Sequence, residues 1–240
     1  MNTIFRKKFG FGCMRLPLLD KDNPTSFDYA HIEEMFDAFL AGGYSYFDTA
    51  YTYHGYKGET ALRKALVERH PRSSFQLATK LPLRDMKSNE HLPIIFQEQL
   101  QNSGVDYFDA YLLHNMGIMV YPRCREFKVF DFLAEMKSQG KIKLAGMSFH
   151  DKPELLMKIL EQDGSVLDFI QLQVNYADME QPNVQSRRCL EVAAEFNKPV
   201  IVMEPLKGGA LAHIPAEAET ILRTQDPTAT PASWAFRFAA

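Results

Sequence analysis

Four side chains have the types and spacing for acid catalysis at a carbonyl: Asp48, Tyr53, Lys80 and His114. A carbonyl that accepts hydride develops negative charge on its oxygen and needs a proton donor at that moment. A tyrosine hydroxyl, with an ordinary pKa of about 10, is a poor donor at neutral pH. An ammonium within a few ångströms stabilises tyrosinate and brings that pKa toward the useful range. In a partly dry cleft the ammonium needs a carboxylate partner, and a neutral imidazole can hydrogen-bond the carbonyl oxygen and orient it. Tyr53 follows Asp48 by five residues in DTAYTY, which suits it to supply the hydroxyl.

The elements that must position these groups repeat on a beat of about thirty residues, the period of a βαβ crossover. Short β-rich runs occur at residues 9–13, 45–48, 76–79, 110–113, 144–148, 170–174 and 201–204. Several are apolar with little alternation, as parallel strands covered on both sides are. Between them lie segments with helical spacing. Ile32, Met35, Phe36, Phe39 and Leu40 share one face, as do Val129, Phe132, Leu133 and Met136, with Gly140 where a helix would end. Seven such strands favour a (β/α)8 TIM barrel, an α/β fold, over an open doubly wound sheet. The segment from Pro231 to Ala240 reads as the seventh helix, so the last βα unit is expected to be missing from this chain. The whole is read as one domain, 1–240, C-terminally incomplete, with residues 20–26 a loop after the first strand.

In such a barrel chemistry sits at the C-terminal ends of the strands. There the sequence has Asp48 after the second strand, Lys80 after the third and His114 after the fourth. Ser148 ends the fifth, Gln171 lies on the sixth and Glu204 ends the seventh.

Composition narrows the function classes. With 27 Lys+Arg against 30 Asp+Glu the formal charge is −3, neither the basic footprint of nucleic-acid binding nor an acidic tail. Cys13, Cys124 and Cys189 form no CxxC pair, which argues for a reducing compartment and against both a disulfide framework and an all-cysteine metal site. No stretch reads as a signal peptide or a membrane span. The expectation is a cytoplasmic protein without nucleic-acid or membrane partners.

Along essentially its whole length the sequence resembles the aldo-keto reductase superfamily. GYSYFDTAYTYHGYKGETALRKAL is similar to the signature around the family's Asp and Tyr, ATK ends at its lysine, and AYLLHN carries its histidine. The resemblance implies catalysis by Asp48, Tyr53, Lys80 and His114, and reduction of a small-molecule aldehyde or ketone with NADPH, NADH being the alternative. It implies cofactor contacts at Met14 in GFGCMR, Asp48, Ser148 in KIKLAGMSF and Gln171 in DFIQLQVNY. VIVMEPLKGGAL adds Met203, where many members carry a stacking aromatic, and Leu206 and Gly208 on the pyrophosphate loop. SFHD, QVNYAD and MEPLKGG look most like a microbial branch that often carries a C-terminal cysteine-rich segment for a [4Fe–4S] cluster. Those cysteines are absent from these residues, and no metal site is expected here.

Taken singly, each candidate has a plainer reading. Tyr53 sits among Tyr44, Tyr46, Tyr51 and Tyr56 and could be packing, Lys80 a solvated rim lysine, His114 a satisfied core histidine, and the arginines 187 and 188 a solvated helix face. Order and spacing together favour the catalytic reading. A metal-dependent hydrolase would want a His-x-His or clustered carboxylates on early strands, and a Schiff-base aldolase would have less use for Asp48 and Tyr53 beside Lys80. A cofactor-sensing subunit with little turnover is the alternative of a different class.

Overall fold

The computed structural model describes residues 7–240, which fall into two compact units, one ending at Met147 and the other running Ser148–Ala240. Among these residues seven strands alternate with helices, and the architecture is that of an incomplete (β/α)8 barrel. No helix among them is long and apolar enough to cross a membrane.

In the first unit β1 (Gly10–Gly12), β2 (Tyr46–Asp48), β3 (Gln76–Leu81) and β4 (Phe108–Met116) pair in parallel, with Gly12 opposite Asp48, Asp48 opposite Ala78 and Lys80 opposite Leu112. β5 (Ile142–Phe149) spans the boundary. The intervening helices are α1 (Tyr29–Ala41), the short α2 (Tyr53–Tyr56) and α3 (Gly58–Leu62), α4 (His91–Ser103), α5 (Tyr121–Glu126) and α6 (Val129–Ser138). The expected apolar face of α1 is the one that turns inward. Ile32, Phe36 and Phe39 are buried while Met35 and Leu40 are half-buried. The carboxylate of Asp28 caps this helix by accepting from the N–H of His31 at 3.2 Å. Its core is aromatic: Phe36 meets Phe11 and Phe47 edge-on, at centroid distances of 5.0 and 4.9 Å. Gly140 ends α6 as expected. Its φ is +70°, and Lys141 N–H donates back to Met136 O at 2.9 Å, a left-handed termination that a side chain would strain.

At the N-terminal end of these strands a buried carboxylate ties three elements together. Asp109 accepts the Leu77 N–H at 2.9 Å, the Arg72 guanidinium at 2.6 Å and the Lys143 ammonium at 2.8 Å.

The second unit contains α7 (Pro153–Asp163), β6 (Phe169–Gln173), α8 (Ser186–Glu195), β7 (Val200–Met203), α9 (Ala216–Gln225) and α10 (Pro231–Ala239). β6 and β7 pair in parallel with Gln171 opposite Ile201. The helix expected from Pro231 is present. Thr230 Oγ1 accepts the Ser233 N–H at 3.2 Å, and Pro231 occupies the first turn, where its missing N–H costs nothing. α9 has no fully buried residue and carries no apolar stripe that would have announced it. Arg187 and Arg188 are exposed on α8, as expected, and paired with Glu180 and Glu154.

Phe36 tests where the core sits. Phe36→Ala should lower the unfolding free energy by about 3–5 kcal/mol, read as a drop in the urea midpoint. A loss of a few tenths would mean that the cluster of Phe11, Phe36 and Phe47 is not a structural centre.

Candidate functional site

β2 and β3 bring the first two candidates together through their register. Asp48 is the last residue of β2, and Lys80 lies two residues beyond its partner Ala78, on the same face. Lys80 is 1% exposed. Its ammonium donates to the Asp48 carboxylate, to the Thr49 carbonyl at 2.7 Å and to the Tyr53 hydroxyl at 3.4 Å, so all three of its N–H donors are used. His114, buried on β4, presents its ring edge-on to Tyr53 at a centroid distance of 5.7 Å. The four residues are therefore one cluster, wholly in the first unit. Lys80 and His114 sit inside their strands rather than after them, because β3 and β4 run further than their apolar runs suggested.

The electrostatics of the cluster are set by burial against charge. Burial would depress the Lys80 ammonium, but the Asp48 carboxylate and the Tyr53 hydroxyl hold it above the ordinary lysine value. Burial raises the Tyr53 phenol, and Lys80 pulls it back only part of the way. The expected effect of Lys80 thus holds in sign, but desolvation outweighs it and Tyr53 stays above its ordinary value. At neutral pH the site holds a protonated phenol beside a cation. The Cys13 thiol, buried against Asp48, is pushed far up, and that of Cys189 to about 11, so neither is a thiolate.

Behind the ion pair lies a second polar layer that the sequence reading missed. Thr79, one residue before Lys80, points the opposite way and donates to Glu59 at 2.6 Å. Gln99 on α4 donates to Glu59 at 2.8 Å and to the carbonyl of Lys80 at 3.1 Å, and Tyr111 donates to Gln99. Glu59 is 2% exposed, and burial pushes its carboxyl up to about 7, against the lowering effect of these donors. A glutamate in GETAL beside a helix start reads as ordinary helix surface, which is why it escaped notice.

Backbone conformation marks the same region. His54, Gly55 and Tyr56, directly after Tyr53, have φ of 52°, 60° and 66°, and Asn115, directly after His114, has φ of 55°. Left-handed non-glycine residues are uncommon and concentrate where function over-determines the backbone.

The remaining candidates belong elsewhere. Met14, after β1, is 50% exposed. In the second unit Ser148 and Gln171 are buried, Met203 is half-buried at the end of β7, and Glu204 follows with φ of 55°. The turn after β7 continues past Leu206 through Lys207, Gly208 and Gly209, with φ of 49°, 66° and 99°. Its anchor is the buried Asp178, which accepts from Lys207 and, at 2.7 Å, from each of Gln173 and Asn175. Asn175 also donates to the Glu204 carbonyl at 3.0 Å. Its own side-chain oxygen accepts the N–H groups of Ala177 and Asp178, and the Asn-x-x-Asp spacing in QVNYAD was the signal that could have found it. Ile118 and Met119, after β4, are exposed, and the segment from Tyr121 to Glu126 is helical.

The model of the aldo/keto reductase family matches residues 8–234. An aldo-keto reductase of Mycolicibacterium smegmatis is 29% identical over 181 residues, 75% of this chain and 60% of its own length. Protein REDOX 2 of Catharanthus roseus is 31% identical over 196 residues, 73% of this chain and 57% of its own length. The chain thus spans about 60% of the length of the curated relatives it matches. Among solved structures, an aldo-keto reductase of Bacillus halodurans in its holo form superposes with a TM-score of 0.72 at 23% identity, covering 95% of this chain and 76% of that one. An aldo-keto reductase of Klebsiella pneumoniae in complex with NADPH superposes with a TM-score of 0.70 at 20% identity, covering 94% and 74%.

The Glu59 carboxyl gives a pH signature with a definite sign. Its folded value, about 7, lies above the ordinary 4.5. Its contribution to stability is therefore complete below the ordinary value and is lost as pH rises through about 7. Glu59→Gln should remove that decline, on the order of 3 kcal/mol. Urea unfolding of both proteins across this range reads it, and two parallel curves would refute it.

Proposed function

The chain belongs to the aldo/keto reductase family, and on that premise we propose that it is an NAD(P)H-dependent oxidoreductase that reduces aldehydes or ketones to alcohols, with Tyr53 as general acid. The observation that carries this reading is the Tyr53 hydroxyl 3.4 Å from the ammonium of a buried Lys80 that is itself held by Asp48.

The roles follow from the protonation states. Tyr53, kept neutral by burial, has its proton in place before the carbonyl oxygen gains charge. As that proton leaves, the tyrosinate is stabilised by Lys80, which stays cationic throughout because Asp48 compensates it. His114 is the second group for the carbonyl oxygen, and a neutral imidazole can hold it without competing for the proton. General acid catalysis of this kind contributes about 10²–10⁴-fold.

A dinucleotide suits the chemistry of the second unit. The turn after β7 is left-handed at Lys207, Gly208 and Gly209. The N–H groups of Lys207 and Gly209 donate to the carbonyls of Glu204 and Leu206, and the Lys207 ammonium is held by Asp178, so what the turn offers a pyrophosphate is close approach to bare glycine backbone. A Cβ added at Gly209 would meet nothing within 4 Å, so there is room above that backbone. Leu206 and Gly208 would line the pyrophosphate, Ser148 and Gln171 would hold the carboxamide, and Met203 would lie against the nicotinamide. The cofactor, when bound, supplies the hydride. NADPH is favoured over NADH because relatives of this fold are solved with it. The substrate is a small-molecule carbonyl compound.

Tyr53→Phe should fold and bind NADPH as wild type does, yet lose about 10²–10⁴-fold of carbonyl reduction, followed as NADPH consumption over a panel of aldehydes and ketones. Near wild-type turnover would remove Tyr53 from the role. A wild-type protein that binds NADPH and turns over no carbonyl would make it a cofactor sensor instead.

Lys80→Met should raise the Tyr53 phenol further, because the lowering influence is gone while burial and Asp48 remain. An acid is lost as pH rises through its pKa, so the alkaline limb of the pH–rate profile should move to higher pH. An unmoved limb at reduced amplitude would make Lys80 only the structural partner of Asp48.

A further inference from the structure

The turn that begins at Tyr53 is left-handed for three successive residues, His54 (φ 52°, ψ 46°), Gly55 (φ 60°, ψ 42°) and Tyr56 (φ 66°). Glycine accepts this conformation without cost, whereas histidine does not. Something must therefore hold His54 there, and its side chain is well placed to do so. Nδ1 lies 3.2 Å from the Pro24 carbonyl and Nε2 lies 3.1 Å from the Cys13 carbonyl. The Leu16 N–H points at Nε2 from 3.4 Å, and the ring of Phe27 meets the imidazole edge-on at 5.1 Å. A neutral imidazole has one N–H, so it donates either from Nε2 to the Cys13 carbonyl, or from Nδ1 to the Pro24 carbonyl while Nε2 accepts the Leu16 N–H; either tautomer pins the turn to the segment between β1 and α1.

We propose that His54 is the positioning residue that keeps the Tyr53 hydroxyl against Lys80, by closing a circuit of contacts around the site. The circuit can be traced atom by atom. Cys13 N–H donates to the carbonyl of Asp48 at 2.8 Å, and the carbonyl of Cys13 meets the ring of His54. His54 is bonded to Tyr53, the Tyr53 hydroxyl meets Lys80, and Lys80 meets Asp48. Without His54, Tyr53 would hang on a turn with one glycine at its centre and no side chain anchoring it to the strand that Asp48 pairs with. The lowest-cost relaxation of that turn is a return to right-handed backbone, which swings the phenol away from Lys80. Acid transfer depends steeply on such distances, and a misplacement of about 1 Å can cost about 10²-fold. His54 touches neither Asp48 nor Lys80 in any hydrogen bond among the described residues, so it acts through Tyr53 and through the backbone.

This inference rests on the reading of Tyr53 as the acid, and the test separates the two. His54→Ala is compared with wild type, with Tyr53→Phe and with the double variant His54→Ala/Tyr53→Phe. Amide hydrogen exchange is followed at Leu16, Tyr53 and Lys57, the last of which donates to the carbonyls of Tyr53 and His54. Exchange at these amides should accelerate in His54→Ala. kcat for carbonyl reduction should fall by about 10²-fold with KM little changed. In the Tyr53→Phe background the same substitution should add almost nothing, because the group it positions is already gone. His54→Asn, whose side chain tolerates the left-handed region, should recover part of both the protection and the rate. Unchanged exchange, an unchanged kcat, or a loss that adds in full to that of Tyr53→Phe would each overturn the proposal. If wild type reduces no carbonyl, the function reading fails, while the exchange data still decide whether His54 holds the turn.

Discussion

An ammonium with 1% exposure cannot exist in a protein without compensation, and the charge of Lys80 is the constraint on which the rest of the first unit depends. Removing an ion of this size from water costs several kcal/mol even after relaxation, and a partner repays it only with good geometry and with every remaining donor satisfied. Both conditions are met by neighbouring strands. β2 ends with the Asp48 carboxylate, the residue after it supplies the Thr49 carbonyl, and the turn that follows supplies the Tyr53 hydroxyl. The parallel register of β2 and β3 is thus an electrostatic requirement as much as a packing one. Gly58 allows the next helix to close over the turn, since a Cβ there would lie 3.0 Å from that of Tyr53 and 3.2 Å from its carbonyl.

The second buried charge group is handled in the opposite way. Glu59 has donors but no cation among its hydrogen-bond partners, and it yields to burial by binding its proton more tightly. The contrast between the two layers follows from what each must do. Under the proposed function Lys80 would stay charged so that a tyrosinate can form beside it, whereas the group of Glu59, Thr79, Gln99 and Tyr111 links α3 and α4 to β3 and β4. In the second unit Asp178 does for the turn after β7 what Asp48 does for Lys80: one buried carboxylate collects a lysine and two side-chain amides and fixes a stretch of backbone that would otherwise be unfavourable.

The parts of this arrangement that could be read from the sequence are those written in local pattern. The seven strands announce themselves as short apolar runs, the inward face of α1 by its spacing, and Asp48, Tyr53, Lys80 and His114 by their order along the chain. What escaped was set by distance or by conformation. Glu59 finds Thr79 and Gln99 twenty and forty residues away, and nothing in GETAL distinguishes a buried glutamate from a solvated one. The left-handed backbone at His54 depends on carbonyls of Cys13 and Pro24 that only the folded chain brings near. The balance at the Tyr53 phenol could not be foreseen either. Spacing shows that a lysine is close, but the competing penalty is set by how much water the surrounding strands exclude.

Thr79 and Lys80 are adjacent residues that face opposite sides of one strand, and each is held on its own side by a different carboxylate. A slip of β3 by a single position would turn each toward the other's side, since the side-chain repeat of a strand is two. If Lys80 moved into the place of Thr79 the cation would meet Glu59, and Leu81 would take the place of Lys80 beside Asp48. The Asp48 carboxylate would then face an aliphatic side chain, so charge disfavours the nearest wrong register. Hydrogen-bond number adds to this, because a leucine offers no donor to the Thr49 carbonyl or the Tyr53 hydroxyl. The polar centre thereby penalises the nearest wrong pairing of β3, and the residues that would carry the chemistry also favour the register of the strand beneath them.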